Sequence, residues 1–395
     1  MTTQRTAFFT QLEMQFAQRV RSDAQKSAWQ RFCALGLPQK SEESYRYLSL
    51  QSLYAASFAF PQANAHGKKE DILPHCQGAL LVFINGFFVE TWSDLSLLPP
   101  DSFTWEMGSH DVENEKDPMA ALCAALCCES RRFVVHKDPG VPIHILHVMQ
   151  GKEPTFVPLR FEIDVRSGVS VQCIFSSHGL GESHSHCSLA TVICSLEENA
   201  KMQLIEDRTH WKEGISFDQY RFTLKKKSAL RCKHLSYGGV LARREILVQL
   251  LGEESVLEWL GCDRLKGRAQ MHSHVHVAHK APCASSMQRF KGVLWDQAQL
   301  SFEGKITVAR GAQKTDAYQR SDSLLLSPQA VAKTKPNLAI YADDVKASHG
   351  TTIAKVDPLQ IFYFQSRGVS SAQAEELIAQ GFCRDVVVEG KNAIS

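Results

Sequence analysis

The densest run of side chains able to hold a metal or move a proton is Met271-His272-Ser273-His274-Val275-His276-Val277-Ala278-His279. In an extended strand, side chains at i, i+2 and i+4 leave the backbone on one face. His272, His274 and His276 are therefore spaced to converge on one metal ion, and neutral imidazole is the commonest metal ligand. The same spacing suits three stacked or solvent-facing rings, and the sequence leaves both uses open. His184 and His186 form a sparser pair in a Gly/Ser/His stretch. His349 stands alone before Gly350, where an imidazole can ligate a metal or hydrogen-bond within a turn.

Several chemistries have no matching pattern. There is no GxxxxGK[ST] phosphate loop and no Gly-x-Ser-x-Gly elbow, and Gly238-Gly239 reads only as a turn. The 395 residues carry 44 Lys+Arg against 42 Asp+Glu. That balance argues against a nucleic-acid binder, which concentrates excess positive charge. The run Lys225-Lys226-Lys227 is expected in a solvated turn or strand edge. Twelve cysteines include no CxxC pair, so a zinc ribbon is not expected. They read instead as small buried hydrophobes in a reducing compartment. Neither a signal-peptide pattern nor an apolar run long enough to span a bilayer is present. The expectation is a cytoplasmic protein with no membrane and no nucleic acid among its partners.

The elements that must position these residues divide the chain into three. Up to about residue 60 the pattern is helical, with Phe8, Phe9, Leu12, Phe16 and Val20 on one stripe and Trp29, Phe32 and Leu35 on another. Ala79–Ile84, Asn85-Gly86 and Phe87–Val89 spell a hairpin, because Asn and Gly accept the positive φ of a tight turn. Pro118 to Arg132 is expected as one Ala/Leu/Cys helix opened by proline. From about residue 141 short strands follow one another, among them Ile143–Met149, Phe156–Val165, Phe217–Leu224, Arg244–Leu251 and Ala298–Val308. That pattern means a sandwich, a barrel or a solenoid, and spacing alone does not choose. Asp357-Pro358 breaks the chain. A short helix is then expected, with Ser370 as N-cap, Gln373 completing a capping box, and Ala374, Leu377, Ile378 and Phe382 on one apolar face.

The C-terminal half contains a dense series of segments. They are Phe302-Glu303-Gly304-Lys305-Ile306-Thr307-Val308, Ala312-Gln313-Lys314-Thr315-Asp316-Ala317, Thr334-Lys335-Pro336-Asn337-Leu338, Ile340-Tyr341-Ala342-Asp343-Asp344-Val345-Lys346, Ser348-His349-Gly350 and Ser366-Arg367-Gly368. In order and wording they resemble the SufB/SufD family of iron–sulfur cluster assembly scaffolds. His-Gly after Asp-Asp-Val-Lys favours the SufD branch, and Tyr45-Arg46-Tyr47 and Leu81–Val89 are similar to elements of that branch. The match is dense over 272–385, loose over 140–271 and sparse before.

The resemblance implies a mainly β protein: a right-handed parallel β-helix (139–354) between an N-terminal helical or mixed domain (1–138) and a C-terminal helical domain (355–395). It implies pairing with a SufB-like paralogue through the β-helix and binding of a SufC-like ABC ATPase through the C-terminal segment. It leaves room for a homodimer of the isolated chain. It places His349 at the paralogue interface as a ligand of iron or a nascent cluster, where imidazole opposite a partner thiolate makes a mixed site. SufD-type chains often carry Cys two residues earlier, and Ala347 stands there, so the partner must complete any ligand set. No stably bound cofactor is expected on the isolated chain, a transient cluster shared with SufB is allowed, and flavin use is left open. Phe362, Tyr363, Arg367, Leu377 and Phe382 become the ATPase-docking candidates. Lys314, Thr315 and Asp316 become a polar ladder along the coils or the lining of an internal path. The expected role is a non-catalytic scaffold. The competing expectation is a self-sufficient His-rich metalloenzyme of β architecture built on His272, His274 and His276.

Overall fold

The computed structural model describes residues 2–19, 21–62, 76–110, 112, 115–180, 186–208 and 214–391, and His184 lies outside them. From Ile143 onward, strands alternate between two sheets, and each pairs in parallel with the strand after next. Leu241–Leu250, Gln270–His279 and Gln299–Val308 stack residue for residue, with Leu241 opposite Gln270 and Gln270 opposite Gln299. One coil is thus 29 residues at this point, the separation of the stacked His272 and Ser301. The result is a parallel β-solenoid, which resolves the choice that strand spacing left open. Its sheets have ten and nine strands.

The coils turn on a stacked column of left-handed residues. Asn199, Lys227, Glu254, Cys283 and Lys314 all have φ between 55° and 61°. The N–H of Asn199 donates to Lys226 O on the next coil, Lys227 to Glu253 O, and Cys283 to Gln313 O, at 2.8–2.9 Å. Lys225–Lys227 therefore sits in a solvated turn, as its charge suggests, and Lys225 reaches Glu197 of the preceding coil at 2.7 Å. Lys314 occupies the same turn position, Thr315 Oγ1 donates to Ala312 O, and Asp316 is exposed. Lys314 is in the turn and Thr315 and Asp316 open the strand that follows it, at the edge of the coil.

The N-terminal coils are filled by apolar rings and aliphatics, including Phe83, Phe133, Phe161, Phe175 and Trp259. Midway along the lumen a buried charge network interrupts them. Arg208 meets Asp218 at 2.6 Å and Glu206 at 3.1 Å, and Arg244 meets Glu206 at 3.2 Å and Asp263 at 3.3 Å. His234 accepts from the Trp259 indole at 3.0 Å and faces Asp263 at 3.5 Å. Burial alone would raise the Glu206 and Asp263 carboxyls, but Arg244 holds both below their usual range, with Arg208 assisting at Glu206.

The solenoid starts earlier than residue 139. Ala79–Ile84 pairs in parallel with Ile143–Gln150, and Ser130–Val135 with Phe156–Val165. The hairpin at Asn85-Gly86 forms as expected, with φ of 49° and 82°. The single helix expected over 118–132 is corrected: it runs Pro118–Leu126, and Ser130–Val135 is a strand. Phe133-Val134-Val135 buries against the solenoid in a way no helix register would allow. Asp117 caps this helix and also takes the Tyr45 hydroxyl at 2.8 Å, Gln219 at 2.9 Å and Arg243 at 2.9 Å. Arg243 lies over the Tyr45 ring at 4.3 Å. The Tyr45-Arg46-Tyr47 segment thus pins the N-terminal helices to the outside of the nine-stranded sheet.

Cutting the buried network on one side leaves Asp263 without its arginine and Glu206 with only Arg208, which Asp218 shares. Arg244→Leu should cost about 3–5 kcal/mol, against under about 1 kcal/mol for Lys225→Ala in an exposed pair. Urea unfolding midpoints of the two variants, with unchanged slopes, check this.

Candidate functional site

The ladder ends on two strands, Val331–Ile340 in the nine-stranded sheet and Val345–Lys355 in the ten-stranded sheet. Each pairs on one side only, so each turns a row of backbone N–H and C=O groups away from the protein. Thr315–Leu325, the strand beneath, is mostly buried, whereas Val345–Lys355 is mostly exposed. Val331, Ile340, Tyr341 and Ile353 add exposed apolar surface here, Tyr341 at 66%. The end carries the apolar content of a core layer without its cover.

His349 lies on this last strand and is exposed. Its register neighbours behind it are Gln319, then Gln288, then Trp259. In-register residues of a parallel ladder share a face, so His349 belongs to the lumen-facing column. Gln319 and Gln288 are buried, and Gln319 Nε2 donates to Gln288 Oε1 at 2.8 Å. Gly304 makes room for this column, because a Cβ there would fall 2.0 Å from Gln319 Oε1. The imidazole is the exposed terminus of a polar column, with Ala347 beside it packed into the last apolar layer. Ala347 offers no second ligand atom.

The histidine-rich strand Gln270–His279 has the geometry expected of it, but its rings are engaged separately. His272 is buried, with Nδ1 2.7 Å from Ser301 Oγ and its ring 6.0 Å from that of Tyr47. His274 Nδ1 lies 3.3 Å from Glu245 Oε1, and His276 Nε2 lies 3.0 Å from Thr307 Oγ1. Burial lowers the His272 ring to about 3 and the His276 ring to about 4. Among the described residues, no group of three His, Cys, Asp or Glu side chains is placed to hold a metal ion. His186 is fully buried, and Thr155 N donates to its Nδ1 at 3.1 Å.

The C-terminal segment makes two helices where one was expected. Pro358–Gln365 is capped by Asp357, whose side chain accepts from Leu359 N, and proline opens the first turn. Asp-Pro was read as a chain break, although the pair is also an N-cap followed by N1. Ser370 and Gln373 exchange the expected capping-box hydrogen bonds at 3.2 and 3.3 Å. The second helix continues to Lys391, well past Phe382. Leu359, Phe362 and Tyr363 are 72%, 66% and 56% exposed, Leu377 is also exposed, and Arg367 lies over the Tyr363 ring at 5.0 Å. Leu359 was missed with its helix. Phe382 differs from the expectation: it turns onto the solenoid with Ile378, Ala379 and Cys383, under Lys291 Nζ at 4.7 Å from its ring centre. Ala374 and Ile378 share that inward side, while Leu377 points away.

Comparison with known proteins bears on both features. Residues 147–382 match the family model described as SUF system FeS cluster assembly, SufBD core domain. The iron–sulfur cluster assembly protein SufD of Escherichia coli is 25% identical over 93% of this chain and 88% of its own length. A SufBD family iron–sulfur cluster assembly protein of Synechocystis is 25% identical over 90% and 84%. SufD of Bacillus subtilis is 41% identical over a shorter stretch, 25% of this chain and 22% of that one.

The buried neutral rings set an acid limit. Burial lowers His147 to about 3 as well as His272. The unfolded chain takes up protons at about 6.5 while these folded rings stay neutral. Stability is full above that value and falls by about 1.4 kcal/mol per ring per pH unit below it. His272→Gln should reduce the loss between about pH 7.5 and pH 5 by about 2 kcal/mol, read from urea unfolding at each pH.

Proposed function

The chain belongs to the SufB/SufD family of the SUF iron–sulfur cluster assembly system, and we propose that it acts there as a SufD-type, non-catalytic scaffold subunit. The observation that carries this reading is the uncapped solenoid end. Two open strand edges, four exposed apolar side chains and an exposed imidazole lie together on the face where the stack stops. A sister solenoid of the SufB type would continue both ladders and bury both edges.

In such a pair His349 stands at the seam. Neutral imidazole ligates iron, and a thiolate from the partner would complete a mixed nitrogen–sulfur site for the iron or nascent cluster that is the complex's cargo. Ala347 leaves this subunit with a single donor there, so the partner supplies the remainder. The exposed face of Pro358–Gln365, with Leu359, Phe362 and Tyr363, is the docking element for a SufC-type ATPase; aromatic side chains on a short helix suit a partner groove. His272, His274 and His276 each engage a different partner, Ser301, Glu245 and Thr307, and this favours the scaffold reading over a self-contained metalloenzyme.

Co-expression with SufB and SufC, followed by purification and iron and sulfide analysis, tests the assignment. All three chains should elute together, and a chain that elutes alone overturns the scaffold reading. His349→Ala should leave the complex intact and lower its iron and sulfide content at least about tenfold. Unchanged content would remove the ligand role and leave pairing alone. Phe362→Asp should weaken SufC binding by more than about 2 kcal/mol, roughly thirtyfold, in a titration of the isolated subunit, with SufB pairing retained.

A further inference from the structure

The twelve cysteines were expected to be inert, and eight are indeed buried. Two of these eight meet. Cys262, on the outer face of Val256–Leu265, and Cys383, on the inner face of Ser371–Lys391, place their sulfurs 2.8 Å apart although 121 residues separate them. They sit in the apolar cluster that seats the helix, with Leu260, Val293, Trp295, Ala379 and Val386. Around that cluster the helix is held by ion pairs at its rim: Arg264 with Glu376 at 2.7 Å, Arg289 with Asp385 at 3.0 Å and Lys291 with Asp385 at 2.6 Å.

We propose that Cys262 and Cys383 are a redox-responsive thiol pair, whose reversible oxidation to a disulfide locks the C-terminal helix onto the solenoid. The oxidant class is a hydroperoxide, hydrogen peroxide being the simplest. The Cys383 thiolate attacks one peroxide oxygen, the O–O bond breaks, and a sulfenic acid and water result. The Cys262 sulfur then displaces that oxygen: the S–S bond forms, the S–O bond breaks, and a second water leaves. Two thiols lose two electrons and two protons, and one peroxide becomes two waters. A dithiol reverses the change by exchange.

In the closed form local charge distinguishes the two sulfurs, and Cys383 is the one carried on the helix that moves. A hydrogen bond from Cys262 lowers the Cys383 thiol, against its burial, and Arg264 and Lys291 lower it further. The same hydrogen bond and burial raise the Cys262 thiol. Neither sulfur is on the surface, so reaction requires the helix to lift. A helix seated by one small apolar cluster and partly exposed ion pairs opens locally at far lower cost than the solenoid beneath it. Open and reduced, or closed and bonded, are then the two states. The pair also fits a reducing compartment, where disulfides are transient and responsive. The proposal stands whether or not the helices dock an ATPase.

The test uses the reduced full-length chain, treated with hydrogen peroxide, alkylated in denaturant and analysed by mass spectrometry. We expect two fewer alkyl groups than on the reduced chain, a peptide joining Cys262 to Cys383 under non-reducing conditions, and full reversal by dithiothreitol. Amide exchange across 371–386 should slow at least about tenfold in the oxidised form, because closing a loop of this length removes much of the open state. Cys262→Ser and Cys383→Ser should each abolish the linked peptide, and Cys33→Ser with Cys283→Ser, both exposed cysteines, should preserve it. Peptide mapping of the unaltered chain decides the matter even where a serine variant does not fold. Full alkylation of both cysteines after peroxide, a link mapped to other cysteines, or a link that leaves helix exchange unchanged would overturn the proposal.

Discussion

A parallel ladder satisfies each strand's backbone only by supplying the next strand, and here the supply stops at Val345–Lys355. The opposite end finishes differently. The antiparallel strands Phe87–Phe88 and Phe103–Met107 terminate the two sheets there. At the C-terminal end the following helices turn away and seat on the side of the stack, against Leu260, Val293 and Trp295, leaving the last edges bare. A stack that finishes in antiparallel strands at one end and in parallel strands at the other has a direction. Whatever completes it must carry strands in the same stacking geometry, which a sister solenoid does and a generic globular partner does not. The open end is thus a consequence of the architecture before any residue on it is considered.

The interior changes character along the same axis. Phenylalanine and aliphatic layers fill the early coils, the network of Arg208, Asp218, Glu206, Arg244 and Asp263 sits midway, and Gln288, Gln319 and His349 follow toward the open end. Ionic pairs of this kind contribute less net stability than apolar packing of equal volume, and they penalise any register but one. A slip of one residue would carry Arg244 to the outer face and bring an unmatched neighbour inside. A stack of near-equivalent coils needs such a pin, since its apolar layers are close to interchangeable.

Much of this was legible in the residues. The Asn85-Gly86 turn, the capping box at Ser370 and Gln373, and most strands between 143 and 308 were readable from local physics alone. Several strands were not recognised, Phe103–Met107 and Ser130–Val135 among them, and two of the unrecognised, Thr315–Leu325 and Val345–Lys355, lie at the open end. Their inward positions hold Gln319, Ser321, Ser323 and His349 where alternation leads one to expect aliphatics. They break the pattern because the lumen there is polar and the last strand has no cover. The helix expected over 118–132 failed for a complementary reason. Ala/Leu/Cys composition carries helix propensity across a boundary that only pairing with Phe156–Val165 reveals. Contacts such as Tyr45 with Asp117, or Cys262 with Cys383, join residues 72 and 121 positions apart. No local pattern encodes them. The family resemblance, carried by the 302–368 segments, selected the solenoid where periodicity could not.

The position of the C-terminal helices adds a mechanical consequence. Between Lys355, the end of the last strand, and Pro358, the start of the exposed helix, only Val356 and Asp357 intervene. Val356 N still donates to Leu325 O at 3.0 Å, and Asp357 caps the helix, so this link is short and ordered at both ends. A force applied at Phe362 by a moving partner has no slack to absorb it and passes directly into the strand that carries His349. That strand is held by one ladder of hydrogen bonds instead of two, which makes it the most compliant part of the solenoid. The helix Ser371–Lys391, anchored to the side of the stack by Arg264, Arg289 and Lys291, sets the other fixed point. Motion of Pro358–Gln365 between these anchors would flex the bare edge and its imidazole before it disturbed the buried network. In this arrangement the exposed helix and the last strand are two ends of one lever.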